Sequence, residues 1–258
     1  MTPRNRKARG RIFTAYTRGY VRRHFHTVRL LKTHAPLGDF MELPAAVFLN
    51  HASWWDPLIC LLLAAEFFPA RSSFAPIDAD ALRRYRFLKN LGFFPVKMGS
   101  ARGAAEFIRT ASALLESQAN LLWLTPQGKF TDIRARPVAL QRGLAHLAGR
   151  VGPCVFLPLA IEYSFWEARL PEVLIAFGTP LFTRQLQNSC GADDWAGAIE
   201  RTLEDTQDAL AAAVQRRNGD DWRMLSRGGA GTTPLYDGWR KMTAAFRRET
   251  FSTEHSKL

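Results

Sequence analysis

From residue 45 onward, short unbroken apolar runs alternate with stretches in which apolar residues recur every three or four positions. The run over residues 46–49 has no polar alternation, as expected of a strand buried on both faces. A helix over residues 57–68 follows. A strand near 73–76 leads into a helix over 79–88, and a strand over 93–97 into a helix over 101–118. The inward face of that last helix reads as Ala105, Ile108, Ala111 or Ser112, and Leu115. Residues 120–124 form a strand ending in Thr125-Pro126-Gln127-Gly128. Residues 140–150 read as helix, and 154–163 and 173–177 as strands. Residues 193–217 read as a long helix opening on Asp193-Asp194, where the helix dipole favours acids. Alternation of this kind predicts an α/β fold: a mixed, mostly parallel sheet covered by helices on both faces. This domain is expected to span residues 39–217.

The flanks read differently. Over residues 11–32, Phe13, Tyr16, Tyr20, Val21, Phe25, Val28 and Leu31 fall on one helical face. Arg11, Arg18, Arg22 and Arg29 form a stripe along its edge. Residues 1–38 are therefore read as a basic amphipathic helical segment. Such a helix either lies in a lipid headgroup layer or packs on the main domain with its arginines in water. Residues 218–258 are polar and rich in glycine, a tail with one helix near 238–250. No internal repeat is present.

Charge sharpens the picture. The net charge is +12, and the first 38 residues carry ten Lys or Arg and no acid. That block points to a polyanionic partner: phospholipid headgroups, nucleic acid or a phosphorylated substrate. Its aromatics lie on an amphipathic face, as membrane contact requires, and no nucleic-acid motif of known spacing accompanies it. Nucleic acid is therefore not the expected partner, although a non-catalytic module that binds anionic lipid or nucleic acid stands as the competing class. Cys60, Cys154 and Cys190 are far apart and odd in number, which suits a reducing compartment and offers neither a disulfide framework nor a metal spacing. No apolar stretch follows the basic N-terminus as a secretory signal would need. The longest apolar run, residues 57–65, falls well short of the ~20 residues that cross a bilayer. The expected location is the cytoplasmic face of a membrane, peripherally bound.

Candidate chemistry collects where strands end, which is where open α/β sheets bind ligands. Three clusters qualify: Asn50-His51…Asp56, Lys97, and Gln127-Gly128-Lys129. An imidazole moves protons near neutral pH, and a carboxylate on its far nitrogen fixes the tautomer. The structural alternative is that Asp56 before Pro57 caps an ordinary helix start and His51 is a loop histidine. Asn50-His51-Ala52-Ser53-Trp54-Trp55-Asp56 resembles the N-H-x-x-x-x-D motif of the phosphate/glycerol acyltransferases, which include the lysophosphatidate acyltransferases. Gly92-Phe93-Phe94-Pro95-Val96-Lys97 resembles the family's second block and Leu124-Thr125-Pro126-Gln127-Gly128 its third. Phe156-Leu157-Pro158-Leu159-Ala160-Ile161 resembles the fourth, and Gln141-Arg142-Gly143 a basic step before a helix. The resemblance covers about residues 40–180.

The resemblance implies transfer of a fatty acyl group from acyl-CoA or acyl carrier protein to a hydroxyl. His51 would be the general base and Asp56 its orienting partner, with no metal or organic cofactor. Asn50 would support either the turn or the forming oxyanion. Ser53 carries no mark of a nucleophile. The acceptor first implied is lysophosphatidate or another lysophospholipid, but this sequence departs from the family pattern. Gln127 stands for a Glu, Lys129 for a Thr, Phe130 for an Arg, and Lys97 for a second Arg. Arginine forks onto phosphate where lysine is a point charge. Lys97, Arg102, Lys129, Arg134 and Arg136 are the cations left to bind an anion, although Lys129, Arg134 and Arg136 also read as a solvated basic loop. A glutamine also hydrogen-bonds sugar or glycerol hydroxyls, so a glycolipid or glycosylated terpenoid is the alternative acceptor. Trp54 and Trp55 read as acyl-channel lining, interface anchors or core. His24, His26, His34 and His146 are assigned no chemistry.

Overall fold

The computed structural model describes residues 3–32, 42–186 and 191–229. The helix expected at 238–250 lies outside the described residues, as do His34 and Cys190.

The chain begins with helix α1 (Pro3–His24), then strands β1 (Thr27–Leu31) and β2 (Ala45–Leu49) and helix α2 (Asp56–Phe67). Strand β3 (Ser72–Asp78) is followed by α3 (Ala79–Arg84), a 3-10 turn (Arg86–Leu91), β4 (Phe93–Val96) and α4 (Ala101–Leu114). Next come β5 (Asn120–Leu124), α5 (Gly143–Ala148), β6 (Val155–Ser164), β7 (Glu172–Phe177) and β8 (Leu181–Phe182). Helices α6 (Thr183–Leu186) and α7 (Ala192–Arg216) and strand β9 (Trp222–Arg227) complete it.

These strands build one nine-stranded sheet in the order β4-β3-β5-β2-β6-β7-β1-β9, with β8 pairing beside β6. Strands β4, β3, β5, β2 and β6 run parallel; β7 is antiparallel to β6, and β9 to β1. The fold is the mixed, mostly parallel α/β sheet that the sequence predicts. Odd-numbered positions such as Val47, Leu49, Leu157 and Ile161 face α1 and α2. Even-numbered positions such as Ala46, Phe48, Leu122 and Phe156 face α4, α5 and α7. This two-sided burial explains the unbroken apolar runs, since both faces of each central strand are core.

Three readings are corrected. The helix expected over residues 11–32 stops at His24, and Thr27–Leu31 is a strand between β7 and β9. Val28 and Leu31 fit a helical face, but Thr27 and Val28 are β-branched and two strand partners outweigh the helical period. Residues 222–227, read as tail, are the edge strand β9, with Trp222 buried. On α4, Ala105 is exposed; Gly103 and Ala111 are buried and Phe107 and Leu114 pack on the core.

Candidate active site

Because β2 and its parallel neighbours share a direction, their carboxyl ends lie at one edge of the sheet, and β6 runs on past the end of β2. Asn50 follows the last residue of β2. Its amide donates to the Ile161 carbonyl at 3.0 Å and accepts from the Ile161 N–H at 2.9 Å. The side chain thus continues the ladder to β6 in place of the backbone, which turns away toward α2. Asn50 is fully buried and both ends of its amide are engaged, so its role is to hold the turn.

That turn folds His51 back onto Asp56. The two side chains meet at 2.7 Å between His51 Nδ1 and Asp56 Oδ2. Asp56 is 1% exposed. Its carboxylate also accepts from the Ser53 N–H at 3.0 Å and from the Tyr163 hydroxyl at 2.7 Å. A buried carboxylate is stable only when its oxygens are supplied with donors in this way. The helix starts with Trp55 in the capping position and no side-chain cap, so Asp56 is turned back into the site rather than capping α2. A carboxylate can only accept, so Nδ1 is the donor of this pair, and in the neutral imidazole Nε2 is then the proton acceptor. The His51 side chain is 21% exposed.

Tyr163 was not singled out from sequence; it projects from β6 on the face that carries α2. Burial first, then the Asp56 charge and the hydrogen bond to it, push its pKa well above the ordinary tyrosine value. Burial and the same charge raise the Cys60 thiol. Both groups stay neutral beside Asp56, and Tyr163 remains a donor.

The loop after β5 closes the other side. The Gln127 Oε1 accepts from the His51 N–H at 2.7 Å. A glutamate there would accept the same bond and bring a negative charge with it; the amide keeps the bond without the charge. Gly128 has φ 68°, and a Cβ there would collide with the Gln141 side chain, so glycine is required at this turn. The Thr131 N–H donates to the His51 carbonyl at 2.8 Å. Phe130 then lies with its ring centroid 4.4 Å from that of His51.

The structure does not bring the remaining predicted anion-binders onto the pair. Lys97, Arg102 and Lys129 are exposed, and none makes a hydrogen bond or ion pair with His51 or Asp56 among the described residues. Arg102 pairs with Glu106 at 3.2 Å, both in solvent. Arg134 forks onto Asp132, which lowers that carboxyl's pKa, and Arg136 pairs with Asp208 of α7. Trp54 is 65% exposed, while Trp55 packs against Phe25, Tyr20 and His24. His26 is buried with Nδ1 on the Gly229 carbonyl, and His146 is exposed. A separate cavity of about 200 Å³, lined by Arg18, Arg22, Leu62 and Leu225, lies between α1, α2 and β9; neither His51 nor Asp56 lines it. Among the described residues no group of three or more His, Cys, Asp or Glu side chains could hold a metal ion. No described helix is long and apolar enough to cross a membrane.

A family model described as Acyltransferase matches residues 23–162, more than half of the chain. Among curated proteins no relative matches the chain.

Proposed function

Because the chain belongs to the acyltransferase family that acts on phospholipid and glycerol substrates, we propose that His51 and Asp56 transfer a fatty acyl group from a thioester to a lipid hydroxyl. The observation that carries this reading is the 2.7 Å contact between His51 Nδ1 and a buried, fully hydrogen-bonded Asp56. It leaves Nε2 to work on a substrate. The acceptor hydroxyl gives its proton to His51 Nε2 as its oxygen attacks the thioester carbonyl carbon. Asp56 stabilises the imidazolium that forms. The carbon–sulfur bond then breaks, and His51 returns the proton to the leaving thiolate. The products are an ester and a free thiol, whether that thiol belongs to coenzyme A or to acyl carrier protein. Every atom and electron pair is accounted for without a protein nucleophile.

The lipid acceptor would come from a membrane surface. Helix α1 supports this: Tyr16 is 59% exposed beside exposed Arg18, Arg22 and Arg23, the combination of aromatic and basic side chains that suits a headgroup layer.

Free-thiol release from palmitoyl-CoA or palmitoyl-carrier protein in the presence of lysolipid tests the reaction. Loss of the general base should lower the rate by ~10²–10⁴ in His51→Ala. A His51→Ala protein with full transferase activity removes the mechanism.

A further inference from the structure

Within the site, the most unusual feature is what stands over the base. Phe130 leaves an aromatic ring 58% exposed, with its centre 4.4 Å from the catalytic imidazole. The ring is held in place. The next residue, Thr131, is bonded through its N–H to the His51 carbonyl at 2.8 Å. Further along, the Ile133 carbonyl accepts from Gln207 Nε2 at 2.9 Å and the Val138 N–H donates to Glu204 at 2.6 Å, both on α7. Arg136 points to Asp208 of α7 and to the Ile133 and Ala135 carbonyls, and Arg134 forks onto Asp132. The loop is therefore clamped so that it presents a phenyl ring, and not a guanidinium, to the space above His51.

We propose that Phe130 makes this site select an uncharged sugar or polyol headgroup, rather than a phosphomonoester, as the acyl acceptor; the proposal rests on the acyl-transfer reading of His51. A phosphate held next to the attacking hydroxyl must leave water, and its charge then requires a fixed counter-charge or forked donors. At Phe130 it meets instead the electron-rich face of a ring. Gln127 adds no charge either. Its Oε1 is occupied by the His51 N–H, which leaves its amide N–H₂ as a donor suited to a neutral oxygen. A sugar or polyol satisfies both partners. Its positively polarised C–H bonds lie on the ring face, its hydroxyls meet the amide, and one hydroxyl reaches His51 Nε2. The exposed ring is then covered when the acceptor binds.

The test compares dodecyl glucoside with lysophosphatidate as acceptors, with palmitoyl-CoA or palmitoyl-carrier protein as donor. It reads the ratio of kcat/KM for the two acceptors in wild type, Phe130→Tyr and Phe130→Arg. Wild type and Phe130→Tyr should prefer the glucoside. In Phe130→Arg the ratio should shift toward lysophosphatidate by about 10- to 100-fold, the factor one charge-assisted hydrogen bond supplies. A wild type that prefers lysophosphatidate overturns the proposal, as does a ratio that Phe130→Arg leaves unmoved. Thiol release with neither acceptor under either donor is a different failure. It removes the acyl-transfer reading itself, and the acceptor proposal falls with it.

Discussion

Tyr163 is the residue whose contribution separates most cleanly from packing. Its hydroxyl bonds Asp56 Oδ1 at 2.7 Å, while His51 and the Ser53 N–H share Oδ2. Phenylalanine would keep the ring against Phe25 and remove only the donor. Without that donor the buried carboxylate is free to turn away from His51, and the imidazolium that forms loses its fixed partner. Tyr163→Phe should therefore lower kcat by about 10- to 100-fold, the worth of a hydrogen bond to a charged group, with KM little changed. A Tyr163→Phe protein with wild-type kcat, or one whose KM rises in step with the fall in kcat, reduces Tyr163 to packing. The pair itself was legible in sequence through the resemblance of Asn50–Asp56 and the blocks that follow it to a known family, since its spacing alone fits an ordinary helix start. Tyr163 lies 107 residues from Asp56 on a strand that reads as uniform core, and only its pairing register brings it there. Phe130 was visible as a departure from the family pattern, but its tilted contact with the His51 ring needed the loop's hydrogen bonds to place it.

Among the elements, α1 ties the N-terminal segment to the site. Tyr16 stacks on Tyr20 at 5.8 Å, Tyr20 meets Trp55 at 5.4 Å, and Trp55 meets Trp54 at 5.7 Å. This ladder runs from the exposed face of the helix to the turn that holds His51 and Asp56. Arg18 and Arg23 stay exposed along it. Binding to vesicles containing phosphatidylglycerol should weaken by about fivefold for each of these removed, following the ~1 kcal/mol that a basic residue gains near an anionic surface. Arg18→Gln with Arg23→Gln, measured by vesicle sedimentation, should show that loss, along with a weak salt-insensitive remainder from Tyr16 and Trp54. Equal binding of wild type and double variant would show that α1 only packs on the domain. The sequence revealed this helix through its period. It hid where the helix stops, because Phe25, Val28 and Leu31 continue a helical spacing while belonging to a break and a strand. That ending is fixed from far along the chain. Gly228 comes so close to the Arg22 and Phe25 carbonyls that a Cβ there would collide with them.

Across the whole molecule, one edge of the sheet is built from the two ends of the described chain. Strand β1 lies between β7 and β9, and β9 covers what would otherwise be an open edge. Trp222 anchors it, 5% exposed and edge-on to Trp166 at 5.9 Å. The polar character of residues 218–229 concealed this strand, since an edge strand alternates and buries only part of its surface. Six strands, however, separate β9 from β4 at the other end of the sheet, and the turn that holds His51 and Asp56 leaves from β2, near the middle. Stability and chemistry should therefore part company here. Trp222→Ala should cost about 3–5 kcal/mol, the usual loss for a buried large aromatic, seen as a lower urea midpoint with an unchanged slope. Protein that remains folded should keep kcat/KM within about twofold of wild type, because distant sites act independently. Should folded Trp222→Ala lose activity in step with its stability, the edge would have to act through Phe25, just past the end of α1, which packs on both Trp55 and Tyr163. A second variant separates these routes. Phe25→Leu leaves Trp222 and the β1–β9 ladder in place while loosening the contact with Trp55 and Tyr163, so only coupling through Phe25 would make it lower kcat without a matching fall in the urea midpoint.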